Sequence, residues 1–123
     1  MNIAIIGATG NVGRKLLGVL EKKQFPIDEL FLIASSKSVG KKINFKGKEH
    51  SIHGLESFDF SNVKIAFFAA GSVIAAKWVP IASQKTIVID NSKFFRMDPD
   101  VPLIVPEVNS KDLKNYKKKK YYC

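Results

Sequence analysis

Apolar residues fall in short runs that end at turn-forming residues, and these runs alternate with stretches of helical spacing. Residues 2–6 are apolar and β-branched and lead straight into Gly7, which predicts a buried strand. From Asn11 the spacing changes: Val12, Leu16, Leu17 and Leu20 share one helical face, with Arg14, Lys15, Glu21 and Lys22 elsewhere. Phe25-Pro26 is the expected end of that helix. Residues 30–34 form a second buried-strand pattern, and 41–52 alternate loosely around Gly47 as a polar edge hairpin would. Residues 64–70 read as a third buried strand, and 72–83 as a helix with Ser72 as its N-cap and Pro80 kinking or shortening it. Residues 86–90 are a fourth strand, and 101–105 a fifth, punctuated by proline.

Strands that are apolar on both faces and alternate with helices imply a parallel sheet covered on both sides by right-handed crossovers. The expected fold class is therefore α/β, a Rossmann-type doubly wound parallel sheet, and an incomplete one. A length of 123 residues holds one domain, divided here into a folded part over 1–110 and a lysine-rich, disordered tail over 111–123. The formal charge of +9 would suggest an anionic partner. Lys111, Lys114, Lys117, Lys118, Lys119 and Lys120 place much of it in the tail, so it says little about the folded part. Tyr116, Tyr121 and Tyr122 could stack bases beside these lysines, but a solvated tail is the preferred reading and no nucleic-acid role is assigned. No apolar run approaches the roughly 18 residues of a membrane span. The first residues lack the basic region of a signal peptide, so the expected location is the cytoplasm and no membrane partner is expected. One cysteine, Cys123, excludes a disulfide framework and a multi-cysteine metal site.

Gly7-Ala8-Thr9-Gly10-Asn11-Val12-Gly13 has the spacing G-x-x-G-x-x-G between a predicted strand and a predicted helix. In that context Gly7 permits the sharp turn, Gly10 leaves room for a pyrophosphate at the backbone, and Gly13 lets the helix pack closely. The freed amides and the helix dipole favour an anion there. An NAD site usually has a carboxylate at the end of the second strand; here that strand leads into Ser35-Ser36-Lys37-Ser38, whose hydroxyls and ammonium suit a 2′-phosphate and favour NADP. Gly71 and Ser72 follow the third strand on the same edge, where Gly71 can admit the cofactor and Ser72 can bond to it. Beyond Asp90-Asn91-Ser92, Arg96 is placed to clamp a phosphate or carboxylate. His50 and His53 have no third ligand nearby and are read as surface residues, so no metal site is assigned. Trp78, Phe67 and Phe68 are read as core.

These residues resemble a known family. GATGNVG at 7–13, Gln24-Phe25-Pro26, ASSKSVG at 34–40, Ala70-Gly71-Ser72, VIDNS at 88–92, Phe95-Arg96 and DVPLIVPEVN at 100–109 are together similar to the amino-terminal part of the aspartate-semialdehyde dehydrogenases. The resemblance covers about residues 1–116. It implies an NADP-dependent enzyme of the aspartate pathway to lysine, threonine and methionine, which reductively dephosphorylates aspartyl phosphate, a small-molecule acyl phosphate, to aspartate semialdehyde. It further implies that Thr9, Gly10, Asn11, Val12 and Gly13 cradle the pyrophosphate, that Ser35, Lys37 and Ser38 face the 2′-phosphate, and that Arg96 binds the substrate phosphate. Two departures matter. The family usually has arginine where Lys37 stands, and lysine lacks the planar fork. The family's nucleophile lies in a Pro-Asn-Cys segment that this chain lacks, so no catalytic residue is assigned in it, Cys123 included.

The chain is thus expected to be a cofactor-binding fragment that is inactive alone, its catalytic half being encoded separately if at all. The terminus fits a single-base slip. One A inserted into a reconstructed AAA AAT ATT ATT GCT AAT turns Lys-Asn-Ile-Ile-Ala-Asn into Lys-Lys-Tyr-Tyr-Cys-stop, the observed ending. Competing readings are a non-catalytic NADP-binding module and an enzyme similar to N-acetyl-glutamyl-phosphate reductase, the second disfavoured by the segment at 100–109.

Overall fold

The computed structural model describes residues 1–91 and 121–122. Strands β1 (Ile3–Ile6), β2 (Leu30–Ala34), β3 (Lys42–Phe45), β4 (Lys48–Gly54), β5 (Ile65–Phe68), β6 (Ile87–Asp90) and β7 (Tyr121–Tyr122) form one seven-stranded sheet in the order β3-β4-β2-β1-β5-β6-β7. Every pairing is parallel except β3 with β4. Without the β3 hairpin strand, this is the doubly wound order in which the chain winds first to one side of β1 and then to the other.

Helix α1 (Asn11–Lys22) covers one face and α2 (Ser72–Ser83) the other. All four residues of β1 are buried, as a central strand between two helical layers requires. On the α1 side Leu17 and Leu20 pack with Ile3, Ile5, Leu32 and Ile52. On the α2 side Ala75, Val79 and Ala82 pack with Ala4, Ile33 and Phe68. Burying one such leucine or phenylalanine contributes about 1.5–3 kcal/mol. The expected edge hairpin is β3–β4, turning through Lys46 and Gly47, both at positive φ. Exposed Lys42 and Lys46 keep that free edge charged.

Several local expectations change. Helix α1 stops at Lys22; Gln24 at φ 51 reverses the chain before Phe25-Pro26 is reached. Ser72 is not the cap of α2. Gly71, at φ 90, is the cap residue and leaves Ser72 as the first helical position. Pro80 does not shorten the helix, which continues to Ser83, where the Oγ donates to the Pro80 carbonyl at 3.0 Å. Within the expected tail, Tyr121–Tyr122 pair as a strand along Val88 and Ile89. The fifth strand expected at 101–105 lies outside the described residues. Among the described residues no helix is long and apolar enough to cross a membrane.

Candidate functional site

The winding reverses at β1, so the loops leaving the carboxyl ends of β1 and β5 diverge and open a crevice. The glycine loop is clamped there from both sides. The Gly7 and Ala8 amides donate to the Ile33 carbonyl at 2.8 and 3.2 Å, and the Ala69 amide donates to Ile6 at 2.8 Å. Gly7 sits at φ +89, and a Cβ on it would lie 2.6 Å from the Ala69 carbonyl oxygen. A Cβ on Gly13 would lie 2.3 Å from the Gly7 oxygen and 2.9 Å from the Ala8 Cα. Both glycines are therefore demanded by the protein's own packing. Gly10 is different: its Cβ would meet only the Gly7 oxygen, at 3.4 Å, so the space beside it suits the close approach of a ligand.

The amides of Asn11, Val12 and Gly13 open α1 and have no acceptor within the helix. No side chain caps them from Gly10, and no acidic residue lies in the first turn. Outward amides, a helix dipole and a bare backbone at Gly10 fit a pyrophosphate group.

Beside this loop lies a cleft of about 640 Å³. Gly7, Thr9 and Gly10 form its floor, Ser35 and Ser36 one wall, and Ile74 and Trp78 of α2 another. Gly54, Leu55, Glu56 and Ser57 complete it. The register Ala34↔Gly54 in the β2–β4 pair brings that last segment alongside Ser35 and Ser36. Of the residues expected from sequence, the cleft gathers Gly7, Thr9, Gly10 and Ser35. Lys37 and Ser38 occupy the 3₁₀ turn just beyond (Ser36–Ser38), with Lys37 exposed and outside the lining. Asn11, Val12 and Gly13 lie in the first turn of α1, and Gly71 and Ser72 are exposed at the start of α2. Arg96 and Ser92 lie outside the described residues.

Sequence reasoning missed the 54–57 wall and Ala69, and it read Trp78 as core. Trp78 is half-buried and packs against the core cluster of the α2 face, and it also lines the cleft.

A second cleft, about 570 Å³, flanks the amino end of β2 near the hairpin and includes Phe31, Phe45, Lys48, His50 and His53. Burial, with the Lys48 charge adding to it, holds His50 below the ordinary imidazole range. His50 is half-buried with its ring edge-on to Phe45, not a plain surface residue, whereas His53 is exposed.

Residues 2–116 match the family model described as semialdehyde dehydrogenase, NAD binding domain. An aspartate-semialdehyde dehydrogenase of Aquifex aeolicus is 52% identical over 119 residues, covering 95% of this chain and 35% of that protein. Aspartate-semialdehyde dehydrogenase 2 of Vibrio cholerae is 50% identical over 117 residues, covering 94% of this chain and 35% of that protein. The structure of the Vibrio cholerae aspartate semialdehyde dehydrogenase II complexed with ASA superimposes with a TM-score of 0.95 at 48% identity, covering 98% of this chain and 40% of that one. A Candida albicans aspartate semialdehyde dehydrogenase with NADP, 24% identical, shares the fold at a TM-score of 0.80, covering 99% of this chain and 41% of that one. The chain thus spans about a third of the length of the curated relatives it matches.

Proposed function

The chain belongs to the semialdehyde dehydrogenase NAD-binding domain family, and on that premise we propose that it holds NADP for an aspartate-semialdehyde dehydrogenase. The observation that carries this reading is the contrast within the glycine loop: Gly7 and Gly13 are fixed by packing, while Gly10 stands open beneath free helix amides. Thr9 to Gly13 would hold the pyrophosphate, and Lys37 with Ser35 and Ser38 the 2′-phosphate. Gly71 and Ser72 would border the nicotinamide side, and Arg96 would take the phosphate of a small acyl phosphate such as aspartyl phosphate. When bound, the nicotinamide supplies the hydride that reduces an acyl group to an aldehyde. The chain's own residues bind and orient; the nucleophile belongs to the part of the longer relatives that this chain does not span. The 123 residues alone therefore bind the dinucleotide without turning substrate over, in the cytoplasm.

Trp78 supplies the test. It is the chain's one tryptophan and it lines the cleft. Reduced nicotinamide absorbs where indole emits, so titration with NADPH gives saturable quenching of Trp78. A flat titration, together with no heat of binding in calorimetry, overturns the proposal.

A further inference from the structure

The two edges of the sheet are protected in different ways. Around β3, Lys42 and Lys46 are exposed and Lys42 pairs with Glu49 at 3.7 Å, so an approaching strand meets charge there. β6 has no such protection of its own. Ile87, Val88 and Ile89 are three β-branched apolar residues in a row, and the strand's one charged residue, Asp90, is buried. Such a segment, left unpaired at a sheet edge, is a template for another chain. Its faces add to the hazard. The register Ile65↔Ile87 and Phe67↔Ile89 puts Ile87 and Ile89 on the face where Ile65 and Phe67 pack with the α1 cluster, whereas Val88 belongs to the α2 cluster. Helix α1 lies toward the hairpin, its Glu21 carboxylate accepting from the Lys46 amide at 3.2 Å, and Ile89 stays 39% exposed. Among the described residues, the outer edge of β6 is occupied by β7, along Val88 and Ile89 alone.

We propose that β7 is an intramolecular edge strap: by pairing with Val88 and Ile89 it blocks strand addition by a second copy of this chain at β6. The inference is independent of the cofactor reading and goes beyond it. Two features suit β7 to the task. A strand of two residues presents few free amides and carbonyls, so capping β6 does not create an equal new edge. Lys117, Lys118, Lys119 and Lys120 lead directly into Tyr121 in the sequence, and like charges on two approaching copies oppose edge-to-edge contact. A strand held at two residues is also the part of the sheet that opens most readily. Once it opens, the partner that fits β6 is the β6 of another copy, because an antiparallel pair of identical strands is self-complementary about a two-fold axis.

The test compares, in reducing buffer, the wild type, a chain lacking residues 121–123, Ile89→Lys, and the last two changes combined. Size exclusion with light scattering reads the mass, and circular dichroism reads the fold. The wild type is expected to run as a monomer. Deleting 121–123 leaves Lys117 to Lys120 in place and is expected to move about half or more of the chain into dimers and larger species at micromolar concentration. Ile89→Lys puts a charge on the exposed residue of β6 and is expected to return the shortened chain to monomers with the wild-type spectrum. That rescue separates an exposed edge from a chain that has lost its fold. A shortened chain that stays monomeric, association that Ile89→Lys does not reverse, or a wild type that associates as strongly as the shortened chain would overturn the proposal.

Discussion

Alanine substitutions at Gly10 and Gly13 separate a glycine kept for a ligand from one kept for the fold. At Gly13 the new Cβ would lie 2.3 Å from the Gly7 oxygen and 3.0 Å from the Gly7 carbonyl carbon. Both atoms are backbone, and the strand carrying them is anchored through Ile33. To reach ordinary contact the start of α1 must move by about 1 Å, which lifts Leu17 and Leu20 off the sheet. Overpacking of this kind costs about 1–3 kcal/mol or more, against a gain of about 1 kcal/mol from placing alanine in a helix. The net expectation is a loss of about 1–2 kcal/mol, or roughly 5–10 °C in melting temperature at this size. At Gly10 the Cβ meets one atom at 3.4 Å, and φ −79, ψ 171 suits alanine. Stability should stay within about 1 kcal/mol, because lower unfolded-state entropy offsets the poorer cap. The methyl nevertheless occupies the pyrophosphate's approach, so NADPH affinity read from Trp78 quenching should fall at least about tenfold, or 1.4 kcal/mol. Thermal unfolding by circular dichroism and the fluorescence titration together decide the matter. A Gly13→Ala chain as stable as the wild type, or a Gly10→Ala chain with undiminished binding, would refute the assignment of roles.

Two further expectations concern the rest of the fold. Among the described residues the buried Thr86 hydroxyl has no hydrogen-bond partner, so Thr86→Val should leave urea stability unchanged or raise it by up to about 1 kcal/mol; a loss above that would mean the hydroxyl is satisfied. His50 is held below its ordinary pKa by burial and then by Lys48, so the unfolded chain binds the proton more readily. Its contribution is full above the unfolded value of 6.5 and is lost as pH falls toward the folded value, so the urea midpoint should drop on acidification through pH 6. That drop should be smaller in His50→Gln, and equal drops would remove His50 as the cause.

The sheet and its glycine loop were readable from sequence because their signals are local. An apolar run that ends in Gly7 is a strand wherever the rest of the chain goes, and an amphipathic stretch from Asn11 is a helix on either face. What escaped is what only pairing decides. Nothing within Gly54-Leu55-Glu56-Ser57 marks a cleft wall; it becomes one because β4 joins β2 in parallel and sets Gly54 opposite Ala34. The hairpin pattern around Gly47 announced the antiparallel pairing of β3 with β4, not the parallel pairing of β4 with β2. Trp78 illustrates the same limit on a helix. Its spacing shows that it faces inward, but only the placement of α2 over the carboxyl edge shows that inward there means the crevice. Gly71 shows the reverse error. Ser72 has the better cap chemistry, yet the chain needs positive φ to leave β5, and only glycine takes that up cheaply. The local motif thus marks the loop, and the order of the strands supplies the walls of the crevice around it.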